Sequence, residues 1–124
     1  MNPPLVSVII PAYNAEKWIA DAIRSVQAQT LKDWELIVVN DGSTDGSSRV
    51  ASSFEDVRIR IVDRPNGGVS AARNTGIERS NGALISFLDA DDAMEPTNLA
   101  EKYSAIQEAK VDWVFGDLLL CDPH

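Results

Sequence analysis

Strands alternating with helices predict an α/β fold, a mainly parallel sheet flanked by helices, and three observations carry that expectation. Short runs rich in Val, Ile and Leu recur, too continuous for half-exposed strands and suited to a sheet covered on both faces. Between them lie segments whose apolar residues repeat at three and four positions, the helical period. Gly, Pro, Asn and Asp punctuate the joins. Such alternation implies parallel strands linked by right-handed crossovers.

The first strand is the run over residues 6–10 in "VSVIIPAYN", stopped by Pro11. Asn14 is placed as the N-cap of a helix over residues 15–29, on which Trp18, Ile19, Ala22, Ile23 and Val26 form the apolar stripe. "WELIVVNDGSTDGS" repeats the scheme: a strand over 36–39, then a polar turn where Asp41, Ser43 or Asp45 caps a short helix reaching about residue 54. "VRIRIVD" alternates, with Val57, Ile59 and Ile61 on one side, the pattern of a strand nearer a sheet edge. "RPNGGVSAARNTGIERSNG" supplies a Gly-rich turn, a helix over 69–80 and a terminating Asn81-Gly82. "ALISFL" is the fourth strand, Pro96 suits the first position of a helix carrying Leu99, Tyr103 and Ile106 on one face, and "DWVFGDLLL" reads as a fifth strand.

Composition narrows the function. The 124 residues, 44% of them hydrophobic, fit one domain with a real core. A formal net charge of -8 argues against binding a nucleic-acid backbone or an anionic membrane by charge alone. Cys121 is the single cysteine, so no internal disulfide framework exists, and no apolar run has the length of a membrane span. The opening "MNPPLVSVII" lacks the basic start of a signal peptide, so the expected address is cytoplasmic. The only histidine is His124, and there is no G-x-S-x-G, G-x-G-x-x-G or G-x-x-x-x-G-K-[ST], which leaves nucleophilic catalysis, zinc and the common dinucleotide and P-loop sites without support.

Ligands of open parallel sheets bind beyond the carboxyl ends of the strands. The first, second and fourth strands end in "PAYN", "NDGS" and "DADD", so three polar clusters fall on one rim. In the last, Asp89, Asp91 and Asp92 crowd together; carboxylates about 5 Å apart repel by about 3 kcal/mol per pair at an effective dielectric near 20. Either this is a solvated acidic turn or a hard divalent ion binds there, with a turn after the strand bringing Asp89 and Asp91 together and Asp92 pointing away. Asp41 either accepts from a ribose hydroxyl or a base N–H, or caps the turn at Gly42. Tyr13 offers a face for stacking a base or is a half-buried strand-end aromatic. Arg73 pairs either a phosphate or the acidic cluster, or makes a structural ion pair, whereas Arg60 and Arg64 are placed on the solvated surface.

"VSVIIPAYNAEKWIADAIRSVQAQTLKDWELIVVNDGSTDGS" followed by "NGGVSAARNTGIERSNGALISFLDADD" resembles the nucleotide-binding half of the family-two inverting glycosyltransferases, with their Rossmann-like A-type (GT-A) fold, over about residues 6–120. The resemblance implies a nucleotide-sugar donor, commonly a UDP-sugar, and Mn²⁺ or Mg²⁺. Carried over by position, Pro11, Ala12 and Tyr13 line the base pocket, Asp41 bonds the uracil, and Arg73 faces the nucleotide. Asp89 lies near ribose and metal, and Asp91 is the main metal ligand of a D-x-D motif that Asp92 extends without a definite role.

It implies inversion at the sugar carbon, for which a base must deprotonate the acceptor hydroxyl. No position here matches that base, and Asp112 and Asp117 fall too early for it. The expectation is therefore a single domain over 1–124, cut at its C-terminal side, that holds the donor and by itself transfers no sugar to its carbohydrate, lipid or protein acceptor. Apolar surface on the last strand would then favour self-association. Two alternatives stand beside it. One is a non-catalytic interaction domain on the same scaffold. The other is a receiver-type signalling module, for which only Asp63 is suitably placed and no Lys follows Asp112.

Overall fold

The computed structural model describes residues 3–109, 113–114 and 118–120. Its sheet has six strands in the order β3-β2-β1-β4-β6-β5. Four of them run parallel: β1 (Val6–Ala12), β2 (Trp34–Asp41), β3 (Ile59–Arg64) and β4 (Leu84–Phe87). β6 (Leu118–Leu120) adds antiparallel to β4, and β5 (Trp113–Val114) antiparallel to β6. The helices α1 (Ile19–Gln27), α2 (Ser47–Ser52), α3 (Val69–Arg79) and α4 (Asn98–Ala109) connect the strands.

β1 is apolar except for Ser7 because each of its faces is a core. Val6, Val8, Ile10 and Ala12 pack with Ile19, Ala22, Ile23 and Val26 of α1 and with Leu99 and Ile106 of α4. Ile9, on the opposite face, packs with Ile37, Val39, Val62, Ala72 and Ile85 under α3. The α3 side depends on close approach: a Cβ on Gly76 would stand 2.5 Å from Ile9 Cγ2, so only glycine lets the helix lie against the strand at that point. Once β1, β2 and β3 have been laid down in one direction, β4 returns to the other side of β1. Parallel sheets open a crevice at such a reversal, beyond the carboxyl ends of the two strands that flank it.

Several expectations need correction. Asn14 does not cap α1: it adopts a left-handed φ of 49° and its side-chain oxygen accepts from Thr44 N–H at 2.8 Å, so Ala15 O closes the first turn and the helix begins at Ile19. Trp18 consequently sits outside the buried stripe, 50% exposed. Val57 is wholly exposed, because Asp56 accepts from Arg58 N–H at 3.0 Å and holds a turn before β3, although β3 is at the edge as expected. Pro96 precedes α4 by a turn, its carbonyl taking Thr30 N–H at 2.8 Å.

Of the three candidate caps for α2, it is Asp45 that reaches the helix, accepting from Ser47 N–H at 2.9 Å. In place of the expected single fifth strand there are two short antiparallel ones, β5 and β6. Asp112, Asp117, Cys121 and His124 lie outside the described residues, and so do the side chains of the last strand, on which the expected apolar face falls. Among those described, no helix is long and apolar enough to cross a membrane.

Candidate functional site

The loops after β1 and β2 are bound to each other side chain by side chain. Asn14 N–H donates to Ser43 Oγ at 3.0 Å, Ala15 N–H to Ser47 Oγ at 2.8 Å, and Gly46 N–H to Glu16 Oε1 at 3.0 Å. The Ser47 hydroxyl also donates to Asp45, holding that carboxyl below its usual range. Short polar side chains are what such lacing requires, which accounts for the run from Asn40 to Ser48. Pro11 and Ala12 are thereby fixed at the mouth of the crevice, with Tyr13 projecting from it 53% exposed.

Asp41 ends β2 with 3% exposure, and its carboxylate organises the turn opposite. Oδ1 accepts from Gly67 N–H at 3.0 Å and lies 3.1 Å from Arg64 Nε; Oδ2 accepts from Gly68 N–H at 2.9 Å and, at a long 3.4 Å, from Asn66 Nδ2. Gly68 needs its φ of 99° to present that amide. Arg64, placed on the solvated surface from sequence, is instead a brace. Its guanidinium also donates to Thr75 Oγ1 at 2.8 Å and Ala71 O at 3.2 Å, tying the end of β3 to α3.

A carboxylate has about four acceptor directions, and here only the one facing Asn66 is weakly filled. It borders a cavity of about 280 Å³ walled by Pro11, Ala12 and Tyr13 on one side and by Asn66, Gly68, Val69 and Ala72 on the other. The Gly-rich turn thus supplies half of this wall, a contribution that sequence reading missed. "NGG" directly before a helix was the available signal.

Beyond β4 the chain turns at once, with Asp92 N–H donating to Asp89 O at 3.0 Å. The turn gathers Asp89 and Asp91 as expected and draws in Asp92 as well, one oxygen of each lying within 4.8 Å of the others. All three are exposed. Arg73 reaches Asp89 Oδ1 at 3.4 Å over the Phe87 ring, while its buried Nε has no partner among the described residues. A hard ion with oxygen ligands near 2.1 Å separates neighbouring ligands by roughly 3 Å. Exposed side chains can rotate to meet that requirement, so the donor set fits Mg²⁺ or Mn²⁺ and does not fit a soft metal.

Two further hollows flank the carboxylates. Arg73, Phe87, Asp89 and Asp92 line one of about 240 Å³. Tyr13, Asn14, Trp18 and Asp91 line the other, of about 180 Å³. Of the residues expected to bind donor or metal, Pro11, Ala12, Tyr13 and Asp41 therefore line the first cavity, Arg73 and Asp89 the second, and Asp91 the third, which shares Pro11 and Tyr13 with the first.

Residues 7–123 match the sequence pattern of Glycosyl transferase family 2. The chain is 50% identical over 91 residues to the uncharacterized glycosyltransferase EpsJ of Bacillus subtilis (strain 168), covering 72% of this chain and 26% of that protein. To glycosyltransferase GlyA of Streptococcus pneumoniae serotype 4 it is 38% identical over 114 residues, 90% of this chain and 16% of the other. The structure superposes on S. aureus TarS 1-349 in complex with UDP-GlcNAc with a TM-score of 0.82 at 28% identity, over 87% of this chain and 32% of that one. Against the mannosyltransferase PcManGT from Pyrobaculum calidifontis, in complex with GDP-Man and Mn²⁺, the TM-score is 0.65 at 28% identity, over 75% and 29%. The chain spans about a quarter or less of the length of the two sequence relatives and about a third of the two structures.

Proposed function

This chain belongs to glycosyl transferase family 2, and on that premise we propose that it forms the donor-binding part of an inverting, metal-dependent enzyme that uses a UDP-sugar. The observation that carries the reading is a cavity bordered by the buried Asp41 carboxylate that shares Pro11 and Tyr13 with the hollow at Asp91, one of three clustered exposed carboxylates. TarS in complex with UDP-GlcNAc and PcManGT in complex with GDP-Man and Mn²⁺ support it as neighbours.

Asp41 at the cavity wall accepts and cannot donate while ionised, so it requires a base that presents an N–H, as the ring N–H of uracil does. A base N–H displaces the long Asn66 contact and leaves the two glycine bonds intact. Tyr13 stacks on the base from the open side. The diphosphate would then lie toward Arg73 and the acidic turn, where Asp91 and Asp89 would hold Mn²⁺ or Mg²⁺. Such an ion would supply charge neutralisation for the departing diphosphate. Asp89 keeps the Arg73 guanidinium turned toward the crevice, and the stack of Arg73 on Phe87 restrains it there.

No described residue is assigned as the base that deprotonates the acceptor, so the isolated chain is expected to bind donor without transferring sugar. The cytoplasmic address and the carbohydrate, lipid or protein acceptor belong to the same proposal. Calorimetric titration with UDP, with Mn²⁺ present and then with chelator, tests it. Binding that is strengthened by Mn²⁺ and loses that gain in Asp91→Ala is the expected result. UDP binding indifferent to both Mn²⁺ and Asp91→Ala would remove the metal from the proposal, and absence of UDP binding would remove the nucleotide.

A further inference from the structure

The acidic turn is tied to the rest of the fold on both sides. On its upstream side Leu88 N–H donates to Ile9 O at 3.0 Å, which ties it to the sheet. On its downstream side Thr30 N–H donates to Pro96 O at 2.8 Å, and the side chain of Gln29, just past the end of α1 and fully buried, holds the segment at two further points. Its Nε2 donates to Glu95 O at 2.7 Å and to Ser25 O at 3.1 Å, and its Oε1 accepts Leu99 N–H at 3.0 Å, at the first turn of α4. Three of the hydrogen bonds a primary amide can make are thus filled, two of them to backbone more than 60 residues away.

Ser25, one turn earlier on α1, joins the same support. Its hydroxyl donates to Ala22 O and accepts Met94 N–H at 3.0 Å. Between these ties lie Asp89, Asp91 and Asp92, with Ala90 packed in the α1 core and Met94 against it. The carboxylates themselves are exposed and make no other connection to α1 in the contacts described above.

We infer that Gln29 is a positioning residue for the cation site: the amide pins the segment after the acidic turn and thereby sets how closely Asp89 and Asp91 can converge on one ion. This rests on the metal reading of the carboxylates. Groups that orient metal ligands from behind typically contribute 10- to 100-fold in metal affinity. The nucleobase cavity is built from β1, β2, the Gly-rich turn and α3, to none of which the Gln29 side chain is hydrogen-bonded, so its affinity is expected to be independent of the amide.

The test compares the unaltered chain with Gln29→Leu and Ser25→Ala. Mn²⁺ is titrated in the presence of UDP, uridine is titrated alone, and hydrogen exchange is followed over residues 88–99. The expected result is an Mn²⁺ dissociation constant raised about tenfold or more in Gln29→Leu and a few-fold in Ser25→Ala. Uridine affinity stays within about twofold, and exchange at Leu99 and across the segment becomes faster. Unchanged Mn²⁺ affinity in both variants would overturn the inference, as would uridine and Mn²⁺ affinities falling in parallel, which marks general loosening. If Gln29→Leu does not fold, Ser25→Ala decides by the same criteria. An unaltered chain that gains nothing from Mn²⁺ would overturn the metal reading itself, whereas unchanged exchange in Gln29→Leu would overturn the tether alone.

Discussion

The two rims of the sheet treat carboxylates in opposite ways. At the amino ends of the strands Glu35 is buried beside its register partner Ser7. It accepts from the Ser7 hydroxyl at 2.5 Å, Asn81 N–H at 2.6 Å, and Asn81 Nδ2 and the Arg60 guanidinium at 3.3 Å each. Burial pushes the Glu35 carboxyl up, and these donors together more than offset it, leaving the group below its usual range. Ser7 Oγ in turn accepts Gly82 N–H at 2.8 Å, so the network locks the connection from α3 to β4. At the carboxyl ends Asp89, Asp91 and Asp92 are open to solvent, and among the described residues only Asp89 meets a guanidinium, that of Arg73 at 3.4 Å. A carboxylate whose acceptor capacity is filled by its own chain is part of the scaffold; carboxylates crowded together with their capacity unfilled are available to a ligand.

The largest expected effect is an exchange of phenotypes across the two rims. Asp91→Ala should lower Mn²⁺-dependent UDP binding by about 100-fold and leave the urea midpoint unchanged, because no intramolecular bond in the described structure is lost. Glu35→Ala should do the reverse. Unpairing Arg60, Ser7 and Asn81 costs about 3 kcal/mol in urea unfolding, with UDP affinity of the folded protein retained. Equal losses of stability in the two variants would erase the distinction.

Asp41 sharpens the comparison, being a scaffold-like carboxylate at the carboxyl ends of the strands. Arg64→Ala removes its charge partner and the tie to Thr75. Uridine affinity should then fall by roughly fivefold, about 1 kcal/mol, while Mn²⁺ affinity holds, as read by calorimetry. Loss of Mn²⁺ affinity of the same size would mean that the two halves of the crevice are not separable.

The smallest effect is in acid. Asp56, near the amino end of β3, is held at about 2 chiefly by hydrogen bonds from the Arg58 side chain, against an ordinary 3.8. A depressed carboxyl stabilises the fold above its unfolded value, and that contribution is lost as pH falls from about 3.8 through about 2. Glu35, also depressed, has the same sign, its contribution fading as pH drops below 4.5. Urea midpoints measured between pH 5 and pH 2 should fall less steeply in Asp56→Asn than in the unaltered chain.

What sequence disclosed and what it hid follow one physical division. Continuous apolar runs and helical spacing announced β1, β2, β4 and the buried stripe of α1, since burial leaves a local mark. The polar residues after three strands marked the rim, and crowding marked the acidic turn. Long-range side-chain bonds leave no such mark. Asn14 reads locally as a cap, yet its partner is Thr44; Arg64 reads as surface, yet it braces Asp41; Gln29 reads as a helix end, yet it holds Glu95 and Leu99. Trp18 keeps the helical spacing and still faces the crevice, because the first turn of α1 is displaced by the lacing of the loops.

The reversal of strand order at β1 also has a meaning in chain entropy. Ser7 meets Glu35 of β2 across 28 residues but Ile85 of β4 across 78. Closing the longer loop costs about 1 kcal/mol more, since the penalty grows with the logarithm of loop length. The unfolded chain therefore gives up less freedom to pair β1 with β2 beside the Asp41 cavity than to carry the acidic turn to it.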